Sequence, residues 1–290
     1  MPVQEPNTHR PRVIVVSGGT DGMGRALTLA RAERGDQVVA LGSNPAKGRQ
    51  LVAEAERIGA ADRVRFLQAD LSSVEATRRA VREITGRHEA VDALCLFANR
   101  QSPKRATTSE GLERTFALYY LSRYLLGHEL TPLLRRSSAP VIVNVAGVGV
   151  TKGAVHWDDL QLERKYHLVT AQLQAGRAND LLGVAYASQA DNPVRYVLYH
   201  PGFTKSGDLS PLPAAARLAI RVLGAFAARP VEQSIAPLHG LIDNPPSVPL
   251  TAIDRGTSLP LTLRTLDPAN AQRLAKATEK LLDALPTAPA

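Results

Sequence analysis

The chain reads as an α/β protein: a Rossmann-type, doubly wound parallel sheet in a single domain with a helical substrate lid. Three observations predict this. Short apolar runs alternate with helical patterns from Arg12 to about His200. The runs are β-branched and nearly continuous in apolar character, as strands buried on both faces must be. The first of them leads directly into a glycine-rich loop that opens the first helix.

Taken in order, Val13–Ser17, Gln37–Leu41, Val64–Gln68, Ala93–Phe97, Val141–Ala146 and Val194–Tyr199 are the expected strands. A helical segment separates each from the next, which specifies parallel βαβ units. Asp70-Leu71-Ser72-Ser73-Val74-Glu75 predicts a capping box in which Ser72 caps the helix and Glu75 reaches back. Beyond His200, Pro, Gly and Ser cluster over Pro201 to Pro213, and a helix is expected through Ala214 to Ala228. Asp267-Pro268 predicts an N-cap followed by proline in the first turn. The helix it opens carries Leu274, Leu281 and Leu285 on one face. The domain should span 12–285, with the lid at about 203–265 and disordered tails at 1–11 and 286–290.

The bulk properties narrow the function classes. The 290 residues suit one large α/β domain, and 44% are apolar, ordinary for a globular protein. The single cysteine, Cys95, precludes an internal disulfide and fits a reducing compartment. Met1 to Arg12 is polar and broken by proline, unlike a signal peptide. The most apolar helical stretch, Ala214 to Ala228, is interrupted by Arg217 and Arg221, so no bilayer span is expected. A cytoplasmic location follows. The net charge is +8, but no Lys/Arg stripe with interleaved aromatics appears, which argues against nucleic acid. A metal site is not expected.

The best local motif is Ser17-Gly18-Gly19-Thr20-Asp21-Gly22-Met23-Gly24. Such a loop turns tightly, lets backbone N–H groups approach a pyrophosphate, and aims a helix N-terminus at it. Gly18, Thr20, Asp21, Gly22, Met23 and Gly24 are therefore expected to hold a dinucleotide. An NAD-preferring fold places Asp or Glu at the end of the second strand; here stand Gly42, Ser43 and Asn44. With no carboxylate to repel a 2′-phosphate, and with Arg25, Lys47 or Arg49 available for charge, NADP(H) is expected over NAD(H).

The glycine loop, Asp70-Leu71 after the third strand and Pro201-Gly202-Phe203-Thr204 after the sixth together resemble the short-chain dehydrogenase/reductase family. The likeness is closest to its retinol-dehydrogenase-like branch. Glu110-Gly111-Leu112-Glu113 before a long helix, Trp157-Asp158-Asp159-Leu160-Gln161 and the stretch Asp267 to Leu282 extend it over nearly the whole chain. The resemblance implies that Asp70 contacts the adenine and Thr204 the nicotinamide carboxamide, with Leu71 also at the cofactor. It also places Ser43, Asn44, Ala98, Asn99, Pro201 and Gly202 around the cofactor. It further implies that the helices near Gly111 to Leu134 and Tyr166 to Ser188 pair across a two-fold axis. Tyr119, Tyr120, Leu121, Leu181 and Leu182 would then serve a homodimer.

The catalytic positions depart from the family's pattern. The family uses Tyr-x-x-x-Lys preceded by Ser and Asn. In register from Trp157-Asp158-Asp159, the tyrosine position is Gln172 and the lysine position Gly176. The serine position is Gly147, preceded by Ala146, and the asparagine position is Tyr119. The usual Asn-Asn-Ala-Gly reads Leu96-Phe97-Ala98-Asn99. Carbonyl reduction needs a hydride and a proton. Gln172 can donate a hydrogen bond but not a proton. Tyr119 brings a phenol whose pKa, without a lysine, should stay near about 10. Lys152, His156, Asp158 and His167 are substitute-acid candidates on a segment that lines the pocket in the family.

The expectation is an atypical NADP(H)-dependent short-chain reductase acting on a ketone or enone of an apolar small molecule. Leu209, Leu212, Leu218, Val222 and Phe226 would form its lid. The proton would come from water, a substitute residue or the substrate. A tailoring role in specialised metabolism would suit such a site. The alternatives are a non-redox cyclase, dehydratase or isomerase on the same scaffold, or a cofactor-binding pseudoenzyme.

Overall fold

The structure is a computed structural model, and it describes residues 11–202 and 229–285. The strands are β1 Val13–Ser17, β2 Gln37–Gly42, β3 Val64–Gln68, β4 Ala93–Leu96, β5 Val141–Val145, β6 Arg195–His200, β7 Leu250–Asp254 and β8 Thr257–Ser258. They form one sheet in the order β3-β2-β1-β4-β5-β6-β7-β8, parallel except for the last pair. The chain reverses its direction of winding between β1 and β4, and that switch point opens a crevice at the carboxyl ends of the strands.

Alternate residues of each strand feed two cores. Val15, Val39 and Leu94 pack on one face with Phe116, Leu126, Leu181 and Leu198. Ile14, Val16 and Val38 pack on the other with Leu27, Leu51 and Leu238. The helices are α1 Gly22–Glu33, α2 Pro45–Arg57, α3 Val74–Thr85, α4 Arg114–Phe116, α5 Ser122–Glu129, α6 Thr131–Leu134, α7 Leu168–Ala187, α8 Val231–Asp243 and α9 Pro268–Asp283. Between α4 and α5, Ala117–Leu121 winds as a π-helical turn. The expected long helix is thus continuous but widened at Tyr119, a common device at functional sites.

Three expectations need correction. Ser73, not Ser72, caps α3, accepting from the Ala76 N–H at 3.1 Å. Ser72 Oγ instead donates to Asp70 Oδ1 at 2.7 Å, and Glu110, not Glu75, receives Ser73 Oγ and the Glu75 N–H. The lid also does not extend over 203–265. Residues 231–254 contain α8 and β7; Ile235, Leu238 and Ile242 are buried in the second core. Asp243 at the end of α8 binds Arg31 at 2.8 Å and Arg34 at 3.0 Å on α1. The proposed lid residues Leu209 to Phe226 lie outside the described residues.

The third correction concerns the face expected to meet a second copy. Asp267 caps α9, accepting from the Asn270 N–H at 2.8 Å, as the Asp-Pro pair predicted. This helix lies on α7 and covers the face in question. Tyr120 is 1% exposed, with its hydroxyl 2.6 Å from Thr278 Oγ1 on α9, and Leu181 and Leu182 are buried. A two-fold pairing would need another face. Among the described residues no helix is long and apolar enough to cross a membrane.

Candidate active site

The cofactor side is built mainly from backbone. A cleft of about 460 Å³ lies over the carboxyl ends of β1, β2 and β4. Eleven residues expected at the cofactor line it: Gly18, Thr20, Asp21, Gly22, Met23, Gly24, Ser43, Asn44, Leu71, Ala98 and Asn99. Gly24 has no alternative, because a Cβ there would fall 2.2 Å from the Gly18 carbonyl oxygen. Ser17 Oγ accepts from the N–H groups of Phe97 and Ala98 at 3.2 and 3.3 Å, fastening the end of β4 to the loop. Asp70 is exposed, and its Oδ1 accepts from Ser72 N and Oγ; Ala69 and Leu71 flank the cleft on either side of it. Pro201 and Gly202 are not part of the cleft wall, and Thr204 lies outside the described residues.

The end of β2 explains its missing carboxylate. A Cβ on Gly42 would lie 2.5 Å from Thr20 Oγ1, so the loop threonine occupies the space of a side chain there. Asn44 is engaged as the cap of α2, accepting from Ala46 and Lys47 N–H. Arg25 is turned to Glu54 at 2.5 Å, and Lys47 to Asp21 at 2.5 Å. Of the expected cations, Lys47 alone lines the cleft.

The neighbouring region, at the carboxyl ends of β4 and β5, is built from side chains. Gln172 and Asn99 form a reciprocal amide pair: Asn99 Nδ2 donates to Gln172 Oε1 at 3.0 Å, and Gln172 Nε2 to Asn99 Oδ1 at 3.3 Å. This joins Gln172 to the cofactor cleft. At Gly176 an added Cβ would meet nothing within 4 Å among the described residues. Tyr119 is buried. Burial raises the Tyr119 pKa, while Arg123 and the Gly147 N–H oppose the rise; the ordinary value expected from sequence is corrected upward. Lys152 and His156 are exposed, and no hydrogen bond joins either side chain to Gln172 or Tyr119. Asp158 and His167 are exposed as well.

Two groups here escaped sequence reasoning. Arg123, 1% exposed, stacks 4.7 Å over the Tyr119 ring and donates to Val145 O at 2.9 Å, to Ala98 O at 3.1 Å and to Asn144 Oδ1. Burial pulls its pKa down to about 10. It ties the ends of β4 and β5 together under the site, and Asn144 continues the network to Asn179 and Tyr196. Asp180 on α7 is 1% exposed, and burial raises its carboxyl to about 7. The only sequence signal for either was a charge at an apolar position of a helix.

A family model described as short chain dehydrogenase matches residues 12–158. Human polyprenol dehydrogenase is 30% identical over 167 residues, which cover 56% of this chain and 51% of that protein. Human retinol dehydrogenase 11 is 26% identical over 196 residues, covering 67% and 62%. The chain therefore spans about half to two thirds of these relatives' length. Among solved structures, the NADP complex of a Shigella flexneri protein described as a short chain dehydrogenase superposes with a TM-score of 0.64. It is 18% identical and covers 85% of this chain and 97% of its own.

Proposed function

Because the chain belongs to the short-chain dehydrogenase family, we propose that it is an NADP(H)-dependent reductase acting on a ketone or enone of an apolar small molecule, with non-standard proton delivery. The observation that carries the reading is the intact cleft with Asn99 on its wall, hydrogen-bonded to Gln172. Hydride transfer asks only that a nicotinamide and a carbonyl be held face to face, and the family's serine, tyrosine and lysine serve the oxygen instead.

The cofactor site fits a dinucleotide phosphate: glycine-loop N–H groups suit the pyrophosphate, and Ser43 and Lys47 suit the 2′-phosphate. The bound cofactor would supply the hydride. In this reading Gln172 Nε2 and the Tyr119 hydroxyl are the donors that would meet the substrate oxygen. Burial raises the Tyr119 pKa and the Gln172 amide is no acid, so in this reading water or the substrate itself supplies the proton. An apolar substrate agrees with relatives named for polyprenol and retinol, and a site this altered suits a tailoring step in specialised metabolism.

The test is stereospecifically deuterated NADPH with a panel of ketones and enones, the products being read by mass spectrometry. Deuterium in the product is expected. A product without label would replace this reading with the non-redox one. Cofactor binding with no product from any substrate of the panel would favour the pseudoenzyme.

A further inference from the structure

A second cavity adjoins the cofactor cleft. It holds about 530 Å³, within the range that takes a whole small-molecule ligand. Arg100 and Leu118 line both spaces, so the two meet beside Asn99. Gln172 Nε2 stands 3.5 Å from the Arg100 carbonyl oxygen, which puts the amide pair at the same junction.

The lining of this cavity is of one sign. Arg100, Lys104 and Arg114 are its cations, Pro103 and Leu118 are apolar, and no acidic residue among the described ones lines it. The carboxylates nearest to Arg114 in the chain are committed elsewhere. Glu113 is buried, and its two oxygens accept from the Thr115 and Phe116 N–H groups at 2.7 Å. Glu110 accepts from Ser73 Oγ at 2.7 Å and from the Glu75 N–H at 3.2 Å. Lys104 and Arg114 are exposed, and among the described residues neither forms an ion pair. Arg105 behaves differently: it lies 3.8 Å from Glu163 and is not part of the cavity wall.

The wall is also held in place. The Tyr166 hydroxyl donates to the Ser102 carbonyl at 2.6 Å, and Arg105 Nε to the Gln161 carbonyl at 3.1 Å. The Arg114 N–H donates to the Ala106 carbonyl at 2.9 Å. The backbone that carries Lys104 is thus fastened on both sides and tied to Arg114. Like charges gathered at one cavity repel unless an anion lies between them, and a cleft lined by one sign concentrates counter-ions. A wall already fixed loses little freedom when a ligand arrives.

We propose that this cavity is an anion subsite for the substrate, and that Lys104 and Arg114 select molecules whose apolar body bears a carboxylate or a phosphate. The proposal rests on the reductase reading for the reacting carbonyl, which would lie at the Gln172 end, and on the cavity alone for the anion.

The experiment titrates the full chain, saturated with NADPH, with octanoate, octyl phosphate and octanol in a calorimeter. The anions should bind about tenfold tighter than the alcohol of the same length, and the preference should shrink as salt is raised. The tighter of the two anions identifies the group that the subsite takes. Lys104→Ala and Arg114→Ala should each weaken the anions about three- to fivefold and leave octanol and NADPH unchanged. Lys280→Ala, which removes an exposed charge from α9, should leave all three ligands as they were. Equal affinity for anions and octanol overturns the proposal. So does an anion preference that survives both cavity variants, or that falls equally in Lys280→Ala, because net charge would then account for it. NADPH weakened by Lys104→Ala would assign the cavity to the cofactor and overturn the proposal as well. Oxooctanoate with deuterated NADPH separates the two readings. Anion preference with no label in any product sinks the reductase and keeps the subsite; label in the product without anion preference does the reverse.

Discussion

The two halves of the crevice are made of different material. Around β1 and β2, the walls are backbone and glycine: the Gly18–Gly24 loop and Gly42 shaped around Thr20. Around the ends of β4 and β5 the work falls to side chains: Gln172 with Asn99, Tyr119 under Arg123, and Arg123 with three acceptors. The first half tolerates no rewriting, because a single Cβ closes it. The second can be rewritten one residue at a time, since each donor can be replaced by another that reaches the same point. In the reductase proposed above, hydride placement would depend on the first half and proton supply on the second, so one could be kept while the other is altered.

The sharpest way to break this comparison is Gly24→Val. Its Cβ would meet the Gly18 carbonyl at 2.2 Å. NADPH binding should disappear in a calorimetric titration while circular dichroism still reports a folded sheet; retained micromolar binding would show that the loop is not the rigid element described.

Gln172→Ala probes the other half. If its amide meets the developing alkoxide, kcat should fall about 10- to 100-fold. NADPH affinity should change little, although Asn99 loses its partner. An unchanged kcat would leave Tyr119 as the working donor.

The smallest effect is expected at Ser43→Asp. A carboxylate near the 2′-phosphate should weaken NADPH about tenfold and leave NADH nearly untouched. Equal weakening of both would place the 2′-phosphate elsewhere.

Much of this was legible in the sequence. The six parallel strands through His200 were expected to within a residue or so at each end, because buried strands and amphipathic helices differ in period. The glycine loop was legible because spacing and position between strand and helix suffice to specify it. By contrast, β7 was not recognised. Leu250–Asp254 is short and follows Pro245, Pro246 and Pro249, and α8 carries Pro237 in its interior, so both looked like lid. The capping residue of α3 was misread by one position, since Ser72 and Ser73 are adjacent and only Glu110, brought from 37 residues away, decides between them.

The sequence by itself determined the fold class, the cofactor loop, and the loss of a Tyr-x-x-x-Lys acid, because these follow from local order along the chain. Tertiary structure alone decided what occupies the altered site. The Tyr119 phenol could be placed under Arg123 only once the π-helical turn was known. Arg123 and Asp180 read as stray charges in helices until burial and their partners showed them facing the site. The role of α9 was decided in the same way: its apolar face was plain in the sequence, but which surface it covers depends on contacts between residues more than 150 positions apart, such as Tyr120 and Thr278.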